Sequence, residues 1–213
     1  MNRIALLLLA IPAFVSAQGT ADILERSFNY HDPQNQWSKL QATFYYTETR
    51  PSGPDRKATF ELDNSQGKWM LNRNDEEVYE VVGNEATVLQ GDKEADRGIM
   101  LRNYYLYLWG LPMKLKDAST PIITQSQDGE VDRLKVHVLR VAYEKETYYF
   151  SFDQTTGRML EYRFYKDEEA GKGELIKLAG EVAFKGLRIP KSRSWYTLPE
   201  MEYLGTDILD EIQ

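Results

Sequence analysis

A chain of 213 residues with 26 Lys and Arg against 33 Asp and Glu carries a net charge of −7, the wrong sign for holding nucleic acid or an anionic membrane surface. It has no cysteine, which excludes disulfides, thiol nucleophiles and the lipid-bearing cysteine of a lipoprotein, so stability has to come from an apolar core. The length suits one domain that buries a sizeable core of its own.

The opening MNRIALLLLAIPAFVSA sets one Arg before an apolar run from Ile4 to Val15 and ends in the small residues Ser16 and Ala17. This is the pattern of a secretory signal peptide, expected to be cleaved after Ala17, which leaves residues 18–213 as a single β-rich domain. The run is too short for a spanning helix, and no later segment approaches the roughly 18 consecutive apolar residues that a membrane crossing needs. The expected location is periplasmic or otherwise exported, without a transmembrane span in the mature chain.

Ile23, Leu24 and Phe28 share a face at helical spacing, which predicts a short amphipathic helix over Asp22 to Asn29, with Thr20 as N-cap and His31-Asp32-Pro33 as its stop. From Trp37 the period changes to two: Leu40, Ala42, Phe44 and Tyr46 alternate with more polar neighbours, as in a half-buried strand. Turn chemistry at Pro51 to Arg56, Asn64 to Gly67, Asn72 to Glu76 and Gly83-Asn84 then divides a meander whose further strands centre on Phe60, Trp69, Val78 to Val82 and Val88.

The period breaks again between Asp96 and Trp109, where Leu101, Tyr104, Tyr105 and Leu108 fall at i, i+3, i+4 and i+7. This is the main helix, with Asp92 or Asp96 as its cap and Gly110 and Pro112 as a left-handed stop. Its far side is apolar as well, because Ile99, Leu106 and Trp109 cluster there. Such a helix is either buried on two sides or borders an apolar space.

Strands resume over Pro121 to Ser126, Leu134 to Val138, Thr147 to Phe152, Met159 to Tyr165 and Ile176 to Phe184, with two last extended pieces around Trp195 and Leu204. Turns are expected at Gln127-Asp128-Gly129, at Asp153 to Gly157 and at Ala170 to Gly173. The sum is an α+β chain, a strongly curved antiparallel half-barrel of about ten to eleven strands, since so long a twisted sheet rarely stays flat. Two helices close its concave side.

The stretches YHDPQNQWSKL, NYYLYLWGLPMKLKD, FYKDEEAGKGELIKLAGEV, and IPKSRSWYT with EYLGTD resemble, in that order along essentially the whole mature chain, an uncharacterised family of bacterial envelope proteins. That family is in turn similar to the periplasmic outer-membrane lipoprotein carrier and sorting group. The resemblance implies an open, curved half-barrel closed by helices over an apolar cavity; it carries no active-site residues across.

Catalytic signals are sparse. His31 sits at a helix stop, where a cation favours the helix C-terminus; His137 lies in a strand and faces its more polar side, and the two lack metal-ligand spacing. No Gly-x-Ser-x-Gly turn or phosphate loop occurs. The acidic runs Asp75-Glu76-Glu77 and Asp167-Glu168-Glu169 flank turns and read as solvated loops, with loose calcium binding as the other reading. The tyrosine-rich strands read as sheet packing or as a binding wall.

The expected function is an exported soluble binding or carrier protein, without cofactor or metal, that holds a lipid or acyl chain between helix and sheet. The expected cavity lining is Tyr105, Leu106 and Trp109 on the helix, with Phe44, Trp69 and Phe150 opposite. Two other readings stand beside it. One is a structural or protein-interaction module of the envelope, and the other a hydrolase with converging carboxylates.

Overall fold

The structure, a computed structural model, describes residues 17–213 apart from 122 and 124. Of the expected signal peptide, residues 1–17, all but Ala17 lie outside the described residues. Among the described residues two α-helices, α1 (Ala17–His31) and α2 (Ala95–Gly110), accompany twelve strands. No helix among the described residues is long and apolar enough to cross a membrane.

The first half forms β1 (Gln41–Thr49), β2 (Arg56–Asp63), β3 (Lys68–Arg73), β4 (Glu77–Val82) and β5 (Glu85–Gln90). The second half forms β6 (Gln125–Val131), β7 (Leu134–Ala142), β8 (Thr147–Asp153), β9 (Met159–Asp167), β10 (Lys172–Phe184), β11 (Leu187–Leu198) and β12 (Tyr203–Ile212). All belong to one antiparallel sheet in the order β5-β4-β3-β2-β1-β12-β11-β10-β9-β8-β7-β6. The chain therefore walks to one edge, crosses to the other through α2, and walks back until β12 pairs with β1. The sheet stays open, with β5 and β6 as its edges.

The alternation that marks β1 in the sequence is the alternation of burial: Ala42, Phe44 and Tyr46 face the core. Register then aligns like with like. Phe44 is opposite Phe60, and the two rings stack at 4.4 Å between centroids. On that face α2 meets both halves of the sheet. Trp109 packs against Phe44 and Tyr46 of β1 with centroids 6.2 and 5.7 Å away, while Arg193 of β11 lies 3.8 Å over its ring.

Several local expectations are corrected. α1 runs further than Asp22 to Asn29, and Thr20 lies inside it, its hydroxyl donating to the Ile123 carbonyl at 2.9 Å instead of capping. Trp37 starts a 3-10 turn, not a strand; Asp32 holds that turn by accepting the Gln36 and Trp37 N–H groups at 2.6 and 3.0 Å. The N-cap of α2 is Glu94, with no side-chain hydrogen bond, so neither Asp92 nor Asp96 caps it. Residues 127–129 lie within β6, and the turn falls on Asp132 and Arg133, whose φ of 48° and 71° give the left-handed pair that a tight hairpin demands. Gly129 makes no turn because it sits in the edge strand β6, where glycine is tolerated without one.

Gly110 is not a left-handed cap either. It closes α2 in helical geometry, and it must be glycine because a Cβ there would stand 2.5 Å from the Trp37 ring and 2.6 Å from Lys114 Cγ. Gly110→Ala is expected to destabilise the fold by about 2 kcal/mol through overpacking, read as a lower urea midpoint at unchanged m-value.

Candidate functional site

The two flanks of α2 differ. Its core stripe is Leu101, Tyr105, Leu108 and Trp109, all at most 5% exposed. Ile99 and Leu106 on one flank are half-buried against the core cluster. On the other flank Met100 and Tyr104 are 51% and 41% exposed, so Tyr104 leaves the sheet-facing stripe in which the heptad spacing places it.

Beside that second flank runs a groove of about 750 Å³ between α2 and the strands of the C-terminal half. Tyr104, Tyr107 and Leu108 form its helical wall, and Tyr148, Tyr162, Phe164 and Trp195 form its floor. The aromatic rings order one another. Tyr104 stacks on Trp195 at 5.9 Å, Tyr107 meets Tyr148 edge-on at 5.5 Å, and Tyr148 stacks on Phe164 at 5.3 Å. Glu144, Lys145, Glu146, Lys166 and Glu174 supply a charged rim. A floor of aromatic rings under such a rim is the build of a site for an apolar or amphipathic molecule.

Smaller basins continue the groove at each end. One, of about 390 Å³, shares Tyr104, Glu174 and Trp195 with it and adds Glu48, Arg56, Arg73, Tyr105 and Asp207. There Glu48 pairs with Arg56 at 2.6 Å and with Arg73 at 3.3 Å, and it accepts the Tyr105 hydroxyl. The other, of about 360 Å³, shares Asn103, Tyr107 and Tyr143 and adds Arg102, Leu106, Lys114 and Asp117.

Buried polar groups underlie the groove. The Asp207 carboxylate accepts the Trp195 Nε1–H at 2.9 Å, and burial, reinforced by Glu48, pushes it up to about 6. Arg193 is fully buried; it donates to the Leu108 and Pro190 carbonyls at 3.2 and 3.0 Å, and desolvation pulls it down to about 10. Among the described residues no carboxylate lies within salt-bridge distance of it.

Of the six residues expected to line a cavity, Phe44, Trp69, Tyr105, Trp109 and Phe150 are at most 1% exposed and belong to the single core cluster. Tyr105 also borders the Glu48 basin, and Leu106 borders the Asn103 basin. The main groove is built from other side chains, of which Tyr104, Tyr148 and Trp195 stand in stretches that the sequence marks as aromatic-rich.

Neither histidine lines the groove. His31 is buried and neutral: its Nδ1–H donates to the Arg188 carbonyl at 2.7 Å, its Nε2 accepts the Met159 N–H at 3.0 Å, and desolvation lowers it to about 4. The reading of His31 as a cation at the helix end is therefore corrected; it is a neutral clamp between α1 and the sheet. His137 lies near the surface, 2.9 Å from Asp128. Among the described residues no group of three or more His, Asp or Glu is placed to hold a metal ion.

The open antiparallel sheet with its crossing helix is a fold shared with solved structures of lipoprotein-carrier-like type. An outer membrane lipoprotein-sorting domain from Vibrio parahaemolyticus superposes with a TM-score of 0.58 at 8% identity, covering 93% of each chain. A LolA superfamily protein from Nitrosomonas europaea gives 0.55 at 9% identity, covering 91% of this chain and 92% of its own. Residues 90–211 match the model of a family of unknown function, DUF6503, and the chain belongs to that family. No curated protein matches it.

Proposed function

We propose that the protein is an exported binding or carrier protein that holds an apolar or amphipathic ligand, a lipid or acyl chain, in the groove beside α2. The observation that carries this reading is the groove itself, about 750 Å³ with tyrosine, phenylalanine and tryptophan as floor and wall. The sheet then acts as a curved half-barrel with the helices over its concave face, and residues 18–213 as one domain. The packed wall of Phe44, Trp69, Tyr105, Trp109 and Phe150 stiffens the groove from behind, so that little ordering remains to be done on binding.

The carrier-like fold of the sorting domain and of the LolA superfamily protein supports the reading at the level of fold, and the signal-peptide pattern supports export. Binding of the apolar fluorophore N-phenyl-1-naphthylamine, and its displacement by acyl ligands, tests the proposal. Tyr104→Ala removes a partly exposed ring that stacks on Trp195. It is expected to weaken binding about fivefold to tenfold while leaving the melting temperature within about 2 °C of wild type. A protein that binds neither the fluorophore nor acyl ligands, and that carries no lipid by mass spectrometry when purified from its own host, overturns the reading.

A further inference from the structure

The basins at the two ends of the main groove differ in charge. The one beside β1 sets Arg50, Arg56 and Arg73 against Glu48, Glu174 and Asp207, so its formal charges cancel. The other, of about 360 Å³, is lined by Arg102 and Lys114 with Asp117 as its carboxylate, and Asp117 is taken up by an ion pair with Lys114. Arg102 is left there as a surplus cation, in a chain of net charge −7.

Arg102 is half-buried, and no carboxylate among the described residues pairs with it. Its Nη1 donates to the Gly83 carbonyl at 2.6 Å and its Nε to Asn103 Oδ1 at 2.8 Å. These two bonds fix the guanidinium and leave Nη2 without a protein partner. Burial alone pulls the group down, with no acid opposite to hold it up. A cation held in this way gains most from a ligand that brings the missing negative charge.

The groups around it are donors too. With Oδ1 engaged by Arg102, Asn103 has its amide Nδ2 to offer. The Ser119 hydroxyl makes no hydrogen bond among the described residues, and the Lys114 ammonium has three N–H groups, more than Asp117 can occupy. Arg102 and Asn103 stand on α2, Lys114 and Ser119 on the segment that follows it, so the donors come from two walls of the basin. A carboxylate would meet them with two oxygens in one plane. A phosphate group brings three acceptor oxygens and more charge.

We propose that this basin is a phosphate site, in which Arg102 and Lys114 bind the anionic oxygens and Asn103 and Ser119 complete the contacts. It meets the main groove at Asn103, Tyr107 and Tyr143, so the phosphate can belong to a soluble ester or to the headgroup of a lipid lying in the groove. The site does not depend on what fills the groove.

Calorimetric titration of the mature protein at neutral pH tests the proposal with two pairs of compounds. One pair is glycerol 3-phosphate and succinate; the other is dioctanoyl phosphatidate and dioctanoylglycerol hemisuccinate, so each compares phosphate with carboxylate. In at least one pair the phosphate is expected to bind about tenfold more tightly. Arg102→Gln is expected to abolish that preference, and Ser119→Ala, at an exposed position, to reduce it about threefold. A preference confined to the lipid pair assigns the phosphate to a headgroup, and one shown by the soluble pair as well shows that a free ester suffices. No preference for phosphate in either pair overturns the inference. So does a preference undiminished in Arg102→Gln, or in Ser119→Ala should Arg102→Gln fail to fold. Neither result touches the groove reading, which fluorophore binding decides.

Discussion

Trp109→Ala is expected to lower the free energy of unfolding by about 4 kcal/mol, enough to bring a domain of this size close to its stability limit. The indole is fully buried, contacts Phe44 and Tyr46 on β1, and forms the surface over which the Arg193 guanidinium lies at 3.8 Å. Truncation leaves a cavity at the crossing of α2 with the centre of the sheet, where neighbours anchored in two halves of one sheet cannot close in. It also strips a buried cation of the ring that faces it, a contact worth more here than at an exposed site. Urea unfolding followed by circular dichroism measures the loss. A value below about 1 kcal/mol would mean that the site is loosely filled, and that the indole borders a space rather than packed atoms.

The contrast between Trp109 and Tyr104 shows what a single sequence yields. Helical spacing identifies α2 within a residue or two of its ends, and the two-residue period identifies β1 with its core face, because both follow from which side chains cannot stay in water. The absolute rotation of the helix does not follow. A wheel gives angles between residues, and both flanks of α2 are apolar, so whether Tyr104 or Trp109 turns inward depends on partners from β1 and β11 that only the fold assembles. The same limit governs the groove, whose floor comes from β8, β9 and β11, and the turn at Asp132-Arg133, where two ordinary residues adopt the left-handed conformation that Gly129 advertised. His31 was legible as a structural residue through its place at the helix stop. Its neutral state was not, since both of its ring partners lie more than a hundred residues away in sequence.

Two buried titrating groups are expected to pull the pH dependence of stability in opposite directions over nearly the same range. His31 falls from 6.5 to about 4 on folding, so between those values the unfolded chain binds the extra proton and stability is lost as pH drops. Asp207 rises from 3.8 to about 6, so in that window the folded chain binds the extra proton and stability is lost as pH climbs. Each amounts to about 3 kcal/mol over its window, and the two largely offset in the wild-type protein. Substitution separates them. Relative to wild type, His31→Gln is expected to gain about 3 kcal/mol between pH 7 and pH 4, whatever its starting deficit from altered bonds to Arg188 and Met159. Asp207→Asn keeps an acceptor for Trp195 and is expected to lose about the same amount relative to wild type over that descent. Glu161 and Glu174, also raised by burial, are common to all three proteins and drop out of the differences. Denaturant titrations at stepped pH read the slopes directly, and profiles for the two variants that run parallel to wild type would show that neither group is buried as described.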